Sequence, residues 1–224
     1  MYSATTMQVK PRPLVVKMSD EDSICREFAV LDYLHKCNPA KASEVIVNVE
    51  DFVHAAAGQH GHAMFMEKGD FNLSDYLPQL HLQPRVEQHS IALTLLSVCG
   101  YISECGLVWG DIKPGNFVRF KAPNSIRNVF KAIDFDSARK APRLAPSSNV
   151  LQGVSEVFEH GSGALVTPGF IAPERAEAML QGTSIAADSK QDIFALGAIL
   201  YKLYTGHDLV DPGLLADVFS RIQV

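Results

Sequence analysis

Apolar positions along the chain switch between a period of two and a period near 3.6. Leu14, Val15 and Val16 form a short β-branched run that ends at Lys17, which predicts a strand. Capping and acidic residues follow at 19–22, and apolar residues then recur at helical spacing over 24–35, with Phe28, Leu31 and Leu34 on one stripe. Strands are expected at 45–47, 52–53 and 63–67, with a turn at 56–61 between the last two. The pattern breaks at 69–71 and restarts as a short helix through Leu73, Tyr76, Leu77 and Leu80. The longest helix is expected at 86–105, where Ile91, Leu95, Val98 and Ile102 make the stripe. Segments 118–120 and 129–133 read as the two strands of a hairpin. Residues 141–163 are rich in Pro, Ser and Gly and read as a long surface loop. The segment 191–204 is apolar almost all round and is expected to be a buried helix. Strands crowd the first part and helices the second, so the fold class is α+β with two unequal lobes.

Composition narrows the picture. A hydrophobic fraction of 47% with 20% charged residues is ordinary for a folded protein. The net charge of −5 argues against a nucleic-acid partner, because no excess of cations is there to neutralise phosphates. The 4 cysteines (Cys25, Cys37, Cys99, Cys105) form no C-x-x-C pair, so neither zinc nor thioredoxin-like chemistry is expected. The histidines show no metal-ligand spacing, and none is assigned. No run approaches the ~20 apolar residues of a membrane span. Scattered thiols without a secretory signal suggest a cytoplasmic or nuclear protein, with a transit peptide as the lesser reading of the basic, acid-free start.

Four short blocks carry the chemistry. Asp111-Ile112-Lys113-Pro114-Gly115-Asn116 puts a carboxylate, a cation and an amide on one tight loop between the long helix and the hairpin. Such a loop can orient a hydroxyl nucleophile, neutralise a phosphate and ligate a hard metal. Asp134-Phe135-Asp136 follows an apolar strand, where a carboxylate can face the same cleft. Thr167-Pro168-Gly169-Phe170-Ile171-Ala172-Pro173-Glu174 is the third block, and Asp192-Ile193-Phe194-Ala195-Leu196-Gly197 the fourth.

In this order the blocks resemble the catalytic loop, the metal-binding Asp-Phe-Gly, the Ala-Pro-Glu motif and the central helix of eukaryotic-type Ser/Thr protein kinases. The resemblance implies a two-lobed fold, with a small, mainly β N-lobe and hinge at 1–69 and a larger, mainly α C-lobe at 70–224. It also implies ATP and Mg²⁺ as cofactors and a protein Ser/Thr side chain as substrate. Position by position, Lys17 matches the lysine on the ATP phosphates, with Lys10 as the competing lysine. Glu27 matches the helix glutamate that orients it. Met66 takes the gatekeeper position, and backbone groups of Glu67 and Gly69 the adenine edge. Asp111 would accept the substrate proton, Lys113 would sit on the γ-phosphate, and Asn116 and Asp134 would bind Mg²⁺. Thr167 would contact the catalytic loop, and Asp192 would anchor it. In the family Glu174 forms a buried ion pair with an arginine of the late C-lobe helices; Arg221, the one arginine near the end of the chain, sits too early to serve, so Glu174 is expected to be a buried carboxylate without its partner.

Departures from the family pattern are as informative. Trp109-Gly110 stands where the family has His-Arg, so the arginine that grips an activation-loop phosphate is missing. Asp136 replaces a glycine, which is expected to restrict loop flipping. No glycine precedes Lys17, so no phosphate-covering Gly-rich loop is expected, and the last C-lobe helices are expected to be absent as well. The kinase domain is therefore read as incomplete. Two other functions stay open: a pseudokinase that binds without transferring, and a small-molecule phosphotransferase of the aminoglycoside-kinase type.

Overall fold

The computed structural model describes residues 13–19, 22–54, 61–121, 128–141, 167, 169–183 and 185–211. Three strands form the first sheet: β1 (Leu14–Ser19), β2 (Val49–Val53) and β3 (His62–Glu67), antiparallel in the order β1-β3-β2. The register sets Lys17 opposite Met64 and Phe52 opposite Met64 from the other side. Helix α1 (Asp22–Cys37) packs on this sheet and buries Ile24, Leu31 and Leu34 completely. His35 and Lys36 lie in its last turn, where cations favour the helix dipole. A second helix, α2 (Pro39–Val45), follows at once. Asn38 caps it by accepting from Lys41 N at 3.1 Å, and Pro39 takes the first helical position.

That helix corrects the strand expected at 45–47. Val45 ends α2, and only Ile46 pairs, in a parallel bridge to Ala132, with Val47 N donating to Ala132 O at 3.0 Å. All three side chains are buried, so their apolar character serves packing on every side and not sheet pairing. The expected turn at 56–61 lies, apart from Gly61, outside the described residues. So does the 141–163 loop beyond Ala141.

The larger, helical part begins with α3 (Leu73–Leu80), capped by Asn72, and α4 (Arg85–Glu104). Strand β4 (Leu107–Val108) pairs with β7 (Arg139–Lys140), and β5 (Phe117–Lys121) with β6 (Asn128–Ala132) as the expected hairpin. Helices α5 (Pro173–Leu180) and α6 (Ser189–Thr205) complete it. Tyr33 of α1 donates its hydroxyl to Cys105 O at 2.8 Å, and Tyr101 of α4 donates to Leu34 O, so α1 is tied directly to the helical part.

The burial expected all round 191–204 is only half there. Ala195, Leu196, Ile199 and Leu203 are buried, whereas Ile193 is 67% and Tyr201 43% exposed. Residues 193, 197 and 201 are one helical stripe, and all three face outward. Apolar composition alone cannot say which face of a helix finds neighbours.

Candidate active site

The strand, the helix and the strand end that frame the cleft meet at one cation. Lys17 Nζ donates to Glu27 Oε2 at 2.6 Å and to Asp134 Oδ1 at 3.1 Å. The packing of α1 on the sheet brings the first pair together despite their short separation in sequence. Glu27 is buried and also accepts from Phe135 N at 3.2 Å. Burial pulls the Lys17 ammonium down, but Glu27 and Asp134 outweigh it and the net shift is upward. Burial likewise pushes the Glu27 carboxyl up against the pull of Lys17. The 2.6 Å contact and the second donor at Phe135 favour an ionic pair. Lys10, the competing lysine, lies outside the described residues.

The loop after β4 is shaped from below. Asp192, at the start of α6, accepts from Trp109 N at 2.7 Å and Gly110 N at 2.9 Å, which fixes the loop backbone. Gly110 has φ of 78°, and a Cβ there would lie 3.0 Å from Ser137 O, so any side chain at this position is strained twice over. Trp109 is fully buried, stacks on Phe135 at 5.2 Å and donates its Nε1 to Asp134 O at 2.9 Å. That bond holds Asp134 at φ 66°, the one left-handed non-glycine among the described residues. Asp136, by contrast, sits at negative φ and accepts from Ser137 Oγ at 3.3 Å, so the aspartate costs nothing in this conformation.

Above this base, Lys113 Nζ donates to Asp111 Oδ2 at 2.6 Å. Asn116 Nδ2 donates to Asp111 O at 2.9 Å and to Oδ2 at 3.2 Å. Burial pushes the Asp111 carboxyl up, with Lys113 and Asn116 opposing. A raised carboxylate is a stronger base toward a hydroxyl than an ordinary one.

Between the sheet and this loop lies a cleft of about 510 Å³ whose walls include Val15, Lys17, Glu27, Met66, Gly69 and Asp134. Glu67 N is taken by Asn48 O at 3.1 Å, so of the expected backbone contacts its N–H is not available to a ligand. The Glu67 side chain is held by Lys131 and Asn48. Gly69 is required by packing: a Cβ there would fall 2.2 Å from Val118 Cγ1 and 2.8 Å from Arg119 O.

Of the remaining expected residues, Thr167 lines a small pocket with Asp111, Arg175 and Asp192. Glu174 departs from expectation. It is exposed in the first turn of α5, where a carboxylate favours the helix dipole, and it has no ion pair among the described residues. The cost of an orphaned buried carboxylate therefore does not arise. Arg221, the arginine considered for it, lies outside the described residues.

Arg175 was not singled out in the sequence. Its Nη1 donates to Gly110 O at 2.6 Å, and burial pulls its pKa down, helped by the neighbouring Arg139. It braces the catalytic-type loop from α5, while Asp192 braces it from α6. The only sequence signal is its place just after Pro173-Glu174 at a helix start.

Asp192 gives this bracing a pH signature. Burial pushes its carboxyl up to about 6, against the two backbone donors and Arg175. The folded chain thus holds this proton more tightly than the unfolded one. The contribution to stability is greatest below about pH 4, is lost as the pH rises to about 6, and is level above that. Asp192→Asn is expected to remove this slope: melting temperatures of wild type should fall relative to the mutant across that window. Parallel profiles would show that Asp192 is not the group responsible.

A family model described as "Protein kinase domain" matches residues 7–214. Among curated proteins, the chain is 28% identical over 116 residues to "Probable serine/threonine-protein kinase PknB" of Bifidobacterium longum, covering 52% of this chain and 14% of that protein. It is 29% identical over 112 residues to "Serine/threonine-protein kinase PknB" of Mycobacterium leprae, covering 50% and 14%. A third relative is "Serine/threonine-protein kinase Pkn1" of Myxococcus xanthus, 27% identical over 136 residues, covering 59% and 17%. The matched region is thus a small fraction of each relative's length.

Proposed function

The chain belongs to the protein kinase domain family, and we propose that it acts as a Ser/Thr protein kinase, transferring the γ-phosphate of ATP to a protein hydroxyl. The observation that carries this reading is the convergence on Lys17. A strand lysine, a buried helix glutamate and Asp134 meet at 2.6 and 3.1 Å on the wall of a cleft that Gly115 also lines, from the loop on which Lys113 and Asn116 bond to Asp111.

The roles are those of the family resemblance, and the geometry supports them. Lys17, oriented by Glu27, meets the nucleotide phosphates. Asp111 accepts the hydroxyl proton of the substrate; its raised pKa suits that task. Lys113, within 2.6 Å of that carboxylate, neutralises the phosphoryl oxygens as they approach. Met66 lines the same cleft, in keeping with the gatekeeper position.

The oxygen donors suit Mg²⁺. Asp134 offers a carboxylate that is 32% exposed on the cleft wall. Asn116 commits its Nδ2 to Asp111, so the oxygen end of its amide is the one available to a hard cation. Bound there with the nucleotide, Mg²⁺ would supply charge neutralisation on the phosphates. Asp134→Ala is expected to abolish the tightening of ATP binding by Mg²⁺ in calorimetry. Equal Mg²⁺ dependence in mutant and wild type would mean that Asp134 is not the ligand, and Asp136 would be the next residue to test.

The acceptor class is tested by competition. Given Mg-ATP, Ser/Thr peptide mixtures, choline and aminoglycosides, the protein is expected to label the peptides. Labelling of the small molecules alone would favour a small-molecule phosphotransferase. Nucleotide binding with no acceptor labelled would favour a binding module.

A further inference from the structure

We propose that Cys25, His54 and His62 form a zinc site that fastens α1 to the β2–β3 hairpin. Among the described residues these three side chains offer a sulfur and two imidazole nitrogens that all lie within 4.8 Å of one another.

The placement follows from strand register. Phe52 pairs with Met64 and Val53 with Ala63, so His54 and His62 come opposite each other one step further along. Alternation puts them on the same face as Phe52 and Met64. That face meets α1, where Phe28 stacks on Phe52 with ring centroids 4.3 Å apart at 15°. Cys25 stands one helical turn before Phe28 and so shares its face.

Phe52 also orients both imidazoles. It meets His54 edge-on at 4.7 Å and 72°, and His62 in a stacked arrangement at 6.2 Å and 17°. The two imidazoles are consequently near perpendicular, at 89° and 5.6 Å. Crossed rings let two nitrogens converge on one point, which stacked rings would not.

The donor set selects the ion. A thiolate with two imidazoles is borderline-soft and suits Zn²⁺, whereas Mg²⁺ and Ca²⁺ prefer oxygen. Tetrahedral zinc, with bonds of about 2.0–2.3 Å, needs ligand atoms roughly 3.3–3.8 Å apart. The three groups therefore close by at most about 1.5 Å on binding, within the reach of side-chain rotation. A water completes the tetrahedron, and the Cys25 thiol gives up its proton. Because Cys25 lies two residues before Glu27, the ion fixes the helix that carries the partner of Lys17.

Cobalt(II) titration of the full chain tests the site, since cobalt replaces zinc in such sites and reports sulfur ligation by colour. Wild type is expected to take up one equivalent, showing a thiolate-to-cobalt charge-transfer band and tetrahedral ligand-field bands that added Zn²⁺ erases. Cys25→Ser should remove the charge-transfer band. His54→Gln, at an exposed position that the fold tolerates, should weaken binding by about tenfold or more. Cys37→Ser, an exposed cysteine on the same helix, should change nothing. A band that survives Cys25→Ser, a band that disappears with Cys37→Ser, unchanged affinity in His54→Gln, or no band in wild type would each overturn the proposal.

Discussion

Asp111→Asn is expected to lower kcat for peptide phosphorylation by roughly 100- to 10,000-fold, the usual worth of a general base. Nucleotide affinity should stay nearly unchanged. The substitution keeps the size and planarity of the side chain, and an amide oxygen can still accept from Lys113, which donates at 2.6 Å in the wild type. What it loses is proton acceptance. The Asn116 bond to the Asp111 main-chain carbonyl, at 2.9 Å, and the Asp192 bonds to Trp109 and Gly110 do not involve the changed atoms, so the loop should hold its course. A drop in kcat with little change in KM for ATP separates loss of the base from collapse of the site. A mutant with wild-type turnover would remove Asp111 from the chemistry.

Trp109→Ala should cost about 3–5 kcal/mol of stability, as deletion of a fully buried large aromatic typically does. That is a large share of the ~5–15 kcal/mol that holds a domain together. Trp109 packs edge-on against Phe117 at 5.2 Å and stacks on Phe135 at 5.2 Å and 17°. It therefore joins the hairpin to the Asp134–Asp136 turn. Its Nε1 bond to Asp134 O, at 2.9 Å, would leave an unsatisfied carbonyl and release the left-handed backbone at Asp134. Trp109→Phe keeps much of the stacking area and should cost distinctly less. Urea unfolding followed by circular dichroism measures both, since the chain has 1 tryptophan and its fluorescence vanishes with the mutation. A Trp109→Ala protein within about 1 kcal/mol of wild type would show that the stack is not the base of the site.

The sequence was most legible where one period dominates a segment. The stripes at 24–35 and 86–105 foretold α1 and α4, and the β-branched run ending at Lys17 foretold β1. The pairing of Lys17 with Glu27 was also readable, although only the tertiary structure shows that the short link between them suffices. Residues 45–47 misled because β-branched residues buried on all sides look the same whether or not they pair. Helix α6 misled in the opposite way: its apolar run does not reveal that Ile193 and Tyr201 face outward. The motif implies burial for Glu174, whereas its place is an exposed helix start. Arg175 and the Cys25–His54–His62 group escaped notice for a common reason. Their partners are far away in sequence, and only strand register and helix packing bring them near.

The proposed reaction is transfer of a phosphoryl group to a protein hydroxyl, served by Asp111 and Lys17. It is tested most directly by incubating the protein with γ-labelled Mg-ATP and Ser/Thr peptides, then identifying the labelled amino acid, with Asp111→Asn run alongside. The expected result is label on serine or threonine in wild type and almost none in the mutant. Label released only as inorganic phosphate, or equal peptide labelling by both proteins, would contradict it.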